Sequence, residues 1–240
     1  MNIFAIGDIH GCITELTILH KKILTHHMFD VKNDQIVYLG DYIDRGRGSK
    51  ESVDQILKLK NNNIKTINLM GNHDEFMFDF LFNNKNNIEN WLNFGLDQTL
   101  RSYGIEVVSF IKDGFDDDVI ERLRQTLLNK MSEEHINFFK SLELSFSSEN
   151  YLFAHAGINP KKILEDQTKE DFLWSRSKEF FNKDFKAEKI IVHGHTPEEN
   201  IINNSHRINI DTGCYFSGKL SSVCLNDKND SRIFINNLPK

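Results

Sequence analysis

Five short motifs in this chain pair glycine with side chains that can bind a hard or borderline metal: Gly7-Asp8-Ile9-His10-Gly11, Gly40-Asp41-Tyr42-Ile43-Asp44-Arg45-Gly46, Gly71-Asn72-His73-Asp74, His155-Ala156-Gly157 and Gly194-His195-Thr196. Any one of them alone reads best as a solvated loop. Together they supply six candidate ligands without a thiolate, and metal centres gather such oxygen and imidazole donors from separate segments. Five by accident is not a tenable reading.

The segments that precede the motifs show how the donors could meet. Asn2–Ile6, Gln35–Leu39 and Thr66–Met70 each run into a motif glycine, Tyr151–Ala154 runs into His155, and Lys189–Val192 into His193. Each reads as a short buried strand. Helical patterns follow the first two motifs: Leu16, Leu19 and Ile23 share one face, and Val53, Ile56 and Leu57 follow a Ser49 cap. Strand, liganding loop and helix therefore alternate through the N-terminal third. Open α/β sheets carry their sites at the carboxyl ends of strands, so the donors should converge there. The glycines let the backbone turn tightly and approach bound ions.

Bulk properties narrow the class. A length of 240 residues with only three prolines and no Pro/Gly/Ser-rich linker favours one domain, since a split would divide motifs spanning residues 7 to 196. Hydrophobic residues at 39%, including 19 phenylalanines, suffice for a substantial core. A formal charge of -6 without a Lys/Arg stripe argues against broad nucleic-acid binding, though not against a local phosphate site. Cys12, Cys214 and Cys224 show no C-x-x-C spacing and read as packed, reduced thiols. With no leader pattern and no apolar run of membrane-spanning length, a soluble cytoplasmic protein is expected.

Residues 82–142 read as a mostly helical insertion, with Val119, Leu123 and Leu127 at four-residue steps and Ile136, Phe139 and Leu142 at three-residue steps. Asp116–Asp118 reads as a solvated helix start, where carboxylates suit the dipole. Trp91 and Phe94 are expected in the core, with a lid role as the weaker alternative. Asn61–Asn63 and Asn83–Asn87 read as polar loops. His20, His26, His27, His135 and His206 lie outside the motifs and are expected on the surface. His193, two positions before His195, is expected to support the site at most.

In combination the motifs resemble the phosphoprotein-phosphatase branch of the calcineurin-like metallophosphoesterases, particularly its bacterial and lambda-phage-type members. Leu173-Trp174-Ser175-Arg176 and Ile210-Asp211-Thr212-Gly213-Cys214 extend the resemblance over most of the chain. The symmetrical diadenosine-tetraphosphatases are similar and share the scaffold. The resemblance implies an α/β (α+β) fold, a central β-sandwich flanked by helices, with a dinuclear metal centre at the strand ends. It implies that Asp8, His10 and Asp41 hold one divalent ion and that Asp41 bridges to a second, completed by Asn72, His155 and His195. Such donors suit manganese, iron or zinc better than Cu(I). Two ions sharing a carboxylate suit in-line phosphoryl transfer by a bridging hydroxide, because coordination lowers the pKa of water.

In that mechanism Arg45 and Arg176 clamp phosphoryl oxygens. His73 protonates the departing oxygen, and Asp74 holds the His73 ring. The structural alternatives are an Arg45–Asp44 pair and a buried, hydrogen-bonded His73. Met70 stands where many protein phosphatases have arginine, and Asp74 where they have glutamate, which leans toward the dinucleotide branch; Asp44-Arg45-Gly46 leans back. The expected activity is phosphomonoester hydrolysis on phosphorylated protein or peptide, with symmetrical dinucleoside tetraphosphate hydrolysis as the alternative. Cyclic-nucleotide phosphodiesterases and nucleases usually carry Gly-His-x-His, whereas Gly194-His195-Thr196-Pro197 lacks the second histidine. A non-enzymatic binding module would be expected to have lost a ligand or the acid, and neither is missing.

Overall fold

Successive residues of a strand face opposite ways, and the first strand shows the consequence. In β1 (Ile3–Ile6), Ile3 and Ala5 join one buried cluster while Phe4 and Ile6 join another. The computed structural model describes residues 1–83, 88–110, 114, 116–229 and 231–239. After β1 come α1 (Ile13–Leu24), β2 (Gln35–Tyr38), α2 (Ser49–Asn61), β3 (Lys65–Asn68) and α3 (Asn72–Phe82). The insertion contributes α4 (Ile88–Asn93), α5 (Leu96–Ser102), α6 (Asp117–Lys130) and α7 (Glu133–Lys140). The second half holds β4 (Ser145–Ser147), β5 (Tyr151–Ala154), α8 (Lys169–Trp174), α9 (Lys178–Phe181) and β6 (Ile190–His193). It ends with β7 (Ile202–Asn203), β8 (Arg207–Asn209), α10 (Cys214–Ser217), β9 (Ser221–Asn226) and β10 (Ser231–Asn236).

The strands form two sheets, ordered β10-β9-β1-β2-β3 and β4-β5-β6-β8-β7. β1, β2 and β3 run parallel, as do β5, β6 and β8; the remaining strands pair antiparallel. Ile3, Ala5, Val37 and Val223 of the first sheet meet Phe153, Val192 and Ile208 of the second in one apolar layer. The opposite face of the first sheet packs on the helices of the N-terminal half and the insertion. The opposite face of the second packs on Ile158, Phe172 and Phe180. This is a β-sandwich flanked by helices, the expected architecture, with mixed rather than purely parallel sheets.

Three local readings change. β3 is an edge strand and only part-buried, because β2 alone flanks it within the sheet. Ser49 begins α2 without capping it; its hydroxyl instead accepts the Asp44 backbone N–H at 3.1 Å. His20, His135 and His206 are buried rather than on the surface. His20 meets the Tyr38 hydroxyl at 2.9 Å, His135 meets Tyr103 and Asp54, and His206 meets the Phe180 carbonyl. Position 20 follows Leu16 by four residues and so lies on the apolar face of α1, which explains its burial. Asp116 caps α6 through the Val119 N–H, as a solvated helix start requires. Beyond Asn83, the Asn83–Asn87 run lies outside the described residues. Among the described residues no helix is long and apolar enough to cross a membrane.

Burial lowers the His20 pKa to about 4. The unfolded chain takes up this proton near pH 6.5 and the folded protein only near 4, so the His20 contribution to stability falls as pH drops through that window. Denaturant midpoints measured across the window should show the gap between wild type and His20→Gln narrowing or reversing toward acid, by at most on the order of 3 kcal/mol. A gap independent of pH would contradict the assignment.

Candidate active site

All five motifs follow strands of the sandwich and lie on one edge of it. Asp8 follows β1, Asp41 follows β2 and Asn72 follows β3; His155 follows β5 and His195 follows β6. Their backbones are strained where they turn: His10, Asp41, Asp44, Arg45 and His195 have φ between 46° and 69°. Non-glycine residues rarely occupy this region, and its concentration in the motifs marks a site rather than ordinary loops. Two glycines permit the crowding. A Cβ on Gly71 would lie 2.1 Å from Asp41 Oδ1, and one on Gly194 would lie 2.0 Å from Asp8 Oδ1.

The candidate ligands converge. His10 Nε2 lies 3.4 Å and His155 Nε2 3.5 Å from Asp41 Oδ2. Asn72 Oδ1 lies 2.9 Å from His155 Nε2 and 2.8 Å from His195 Nδ1. His10 donates its Nδ1 proton to the Ile43 carbonyl at 2.9 Å, and His155 donates to Leu39 at 2.8 Å. Those bonds fix the tautomers and aim both Nε2 lone pairs into the cluster, the usual outer support of ligating histidines. Asp8 accepts the His195 backbone N–H through Oδ2, while its buried Oδ1 has no partner among the described residues.

Charge in the site favours a cation. Burial, then Asp211 and Asp41, raise the Asp8 pKa well above its ordinary value. Burial lowers His10 to about 4 and His195 to about 2, and lowers His155 as well. These imidazoles are therefore neutral near pH 7, the form that ligates. Crowded carboxylates, an orphaned carboxylate oxygen and inward lone pairs fit divalent metal ions.

His73 lies beside this cluster, its ring 4.6 Å from that of His10. The structure corrects its partner. Asp44, not Asp74, holds the ring, with His73 Nδ1 2.7 Å from Asp44 Oδ2. Asp74 is one residue further along α3 and turns away, accepting the backbone N–H groups of Asp41, Tyr42 and Gly71. Asp44 also accepts from Trp91 Nε1 at 2.7 Å and Thr99 Oγ1 at 2.6 Å. Trp91 is thus a core residue with a polar task, and the insertion braces the dyad from behind. Burial works against charge on His73, but Asp41 and Asp44 outweigh it and raise the pKa above the usual histidine value.

A cavity of about 410 Å³ opens over these groups, lined by Arg45, Arg176, Phe94, Trp174, Asp211 and Tyr215 among others. Arg45 makes no pair with Asp44; its guanidinium lies 5.6 Å from the Phe94 ring and 5.4 Å from the Tyr215 ring. Arg176 donates from Nε to His195 Nε2 at 3.2 Å. Phe94 is a wall of the cavity rather than core. His193 points elsewhere, toward Arg207 and Phe181, and Met70 is buried outside the cavity lining. From the sequence Asp44 is expected only as an alternative partner of Arg45, and Thr99 and Tyr215 have no role. Asp44 lay within a motif, whereas Thr99 and Tyr215 carried no comparable signal.

A family model described as calcineurin-like phosphoesterase matches residues 1–230. The chain belongs to this family. It is a hydrolase of the metallophosphoesterase class, and membership implies divalent metal ions. The chain is 28% identical to a bis(5'-nucleosyl)-tetraphosphatase PrpE, of asymmetrical type, from Oceanobacillus iheyensis, over 95% of this chain and 90% of the relative. It is 27% identical to the protein of the same name from Anoxybacillus flavithermus, over 91% and 88%. Among solved structures, a serine/threonine phosphatase from Saccharomyces cerevisiae with similarity to human PP5 shares the fold, with a TM-score of 0.59, 16% identity and coverage of 98% of this chain and 79% of that one.

Separate roles for the two aspartates lead to separable defects. Asp44→Asn should lower kcat on a poor leaving group by about a hundredfold more than on an activated one, a selectivity that Asp74→Asn should lack. Asp74→Asn should cost about 1–3 kcal/mol of stability, because it loosens three backbone N–H groups. Steady-state kinetics and thermal melts on both variants check this; the reverse pattern would restore Asp74 as the partner of His73.

Proposed function

We propose that residues 1–240 act as one metallophosphoesterase domain that hydrolyses dinucleoside tetraphosphates. The expectation from sequence put phosphomonoesters first. The observation that reverses the order is the cavity wall: Phe94, Trp174 and Tyr215 line it together with two arginines, and Tyr215 is 43% exposed. Aromatic faces beside a phosphate clamp suit nucleobases, each stacking contact being worth about 1–3 kcal/mol. Relatives named as tetraphosphatases over nearly the whole chain support the same reading. The Asp44-Arg45-Gly46 sequence keeps phosphomonoester hydrolysis as the second reading.

Asp8, His10 and Asp41 would hold one divalent ion, and Asp41, Asn72, His155 and His195 the other, with manganese preferred and iron or zinc as alternatives. When bound, the ions supply Lewis-acid charge and ionised water at neutral pH. Arg45 and Arg176 bind phosphoryl oxygens through planar forks that reach two oxygens at once. Stacking on Phe94 and Tyr215 fixes the Arg45 fork before substrate arrives. His73, kept protonated by Asp44 and Asp41, donates its proton to the departing oxygen. The free cysteines are consistent with a reducing, cytoplasmic setting.

Manganese-loaded protein should prefer diadenosine tetraphosphate over a phosphopeptide by about a hundredfold in kcat/KM, roughly 2.7 kcal/mol of transition-state binding. Tyr215→Ala loosens Arg45 for every substrate but removes a base-stacking face only for the dinucleotide, so it should raise KM for the dinucleotide about tenfold more than KM for nitrophenyl phosphate. Equal or better turnover of the phosphopeptide would overturn the reading. Product analysis adds a second decision: an asymmetrical cut releases a nucleoside triphosphate and a monophosphate, a symmetrical one two diphosphates.

The role of His73 has its own test. Alkoxide leaving groups need protonation and nitrophenolate needs it far less. His73→Asn should therefore slow alkyl phosphate hydrolysis by about a hundredfold more than nitrophenyl phosphate hydrolysis. Equal losses would make His73 a structural residue.

A further inference from the structure

Beside the phosphate cavity, and outside its lining, lies a second group of donors that the proposed chemistry does not use. Cys12, Glu15 and Cys214 each present one ligand atom, all within 4.8 Å of one another. Cys12 stands at the start of α1 and Glu15 in its first turn, while Cys214 opens α10. Cys214 is buried, and Cys12 and Glu15 are part-buried, so the three enclose a point that remains reachable from solvent. Glu15 forms no side-chain hydrogen bond or ion pair among the described residues.

We propose that Cys12, Glu15 and Cys214 form a binding site for one thiophilic divalent cation of the zinc class, distinct from the oxygen and imidazole centre. Tetrahedral coordination with metal–sulfur distances of about 2.3 Å places neighbouring ligand atoms roughly 3.8 Å apart, so small side-chain rotations bring this group into range. Two thiolates select soft or borderline cations, whereas the donors around Asp41 include no sulfur and suit harder ones. The Glu15 carboxylate distinguishes the arrangement from a simple thiol pair, because a disulfide would leave it without a task. Binding two thiols and a carboxylate releases the thiol protons and leaves the fourth position to water.

The location connects this site to the first. Cys12 lies two residues after His10. Cys214 immediately precedes Tyr215, whose ring lies 5.3 Å from that of His10 and 5.4 Å from the Arg45 guanidinium carbon. A cation held between α1 and α10 ties Tyr215 to its place over His10 and Arg45.

The test uses manganese-loaded protein and cadmium as the probe. Thiolate-to-cadmium charge-transfer absorption in the ultraviolet reports this site, since no cysteine lines the phosphate cavity and the third cysteine, Cys224, is fully buried within β9. Titration of reduced protein should show the band saturating at one cadmium per chain. Cys12→Ser and Cys214→Ser should each weaken or abolish it, and Glu15→Gln should raise the cadmium Kd about tenfold. Because Cys12 is part-buried at a helix start, its variant keeps the test decisive if Cys214→Ser fails to fold. No band in the wild type, or a band unchanged in Cys12→Ser, overturns the proposal. So does a Cys12–Cys214 disulfide that survives gentle reduction and excludes cadmium, which would make the pair a redox element instead. No phosphate substrate enters the measurement, so its outcome is independent of the substrate assignment.

Discussion

Burying carboxylates at one sheet edge costs free energy unless positive charge or donated hydrogens offset it, and Asp41 is where that constraint is most acute. Its Oδ1 accepts the His73 backbone N–H at 3.0 Å, while Oδ2 faces His10 and His155. Burial opposes its charge, but the surrounding imidazoles, His155 first, hold its carboxyl below the usual carboxylate range. Close by, Asp8 keeps a buried oxygen with no partner among the described residues, and Asp211 is pushed up to about 7 by burial, with Asp41 adding to the shift. The left-handed backbone at Asp41 and the bare Gly71 that admits its carboxylate follow from the same crowding. Divalent cations resolve it in one step, and the sandwich supplies the rigid edge from which the donors project.

The insertion serves the same edge from outside the sandwich. Trp91 and Thr99 hold Asp44, Asp44 holds His73, and His73 stands next to His10. A helical segment far from the metal motifs in sequence therefore sets the orientation of the candidate acid. Phe94, from the same segment, meets Arg45 on one side while Tyr215 meets it on the other. The placement of His73 and that of Arg45 are thus both linked to how the insertion packs, through aromatic rings that lose little entropy when fixed.

Much of this was legible in the chain because local rules carried it. Tyr151–Ala154 became β5 with the expected bounds, and the Leu16-Leu19-Ile23 stripe became the buried face of α1. The motif glycines marked the strand ends because only residues without a side chain fit beside Asp41 and Asp8. The misses came from tertiary context. Which aspartate would reach His73 depended on the direction of α3, so sequence adjacency wrongly favoured Asp74 over Asp44. His20 and His135 went inside because Tyr38 and Tyr103 awaited them from other elements. Tyr215 met His10 and Arg45 only through the packing of α10, which no spacing announces.

The proposal on which the centre stands is Asp41 as the shared carboxylate of two metal ions. It is tested most directly by counting ions in wild type and Asp41→Asn after saturation with manganese and removal of excess, alongside a thermal melt to confirm folding. The account predicts two manganese ions per chain in the wild type, and loss of tight binding of both in the folded variant. A wild type that saturates at one ion while fully active, or a variant that still holds two, would contradict it.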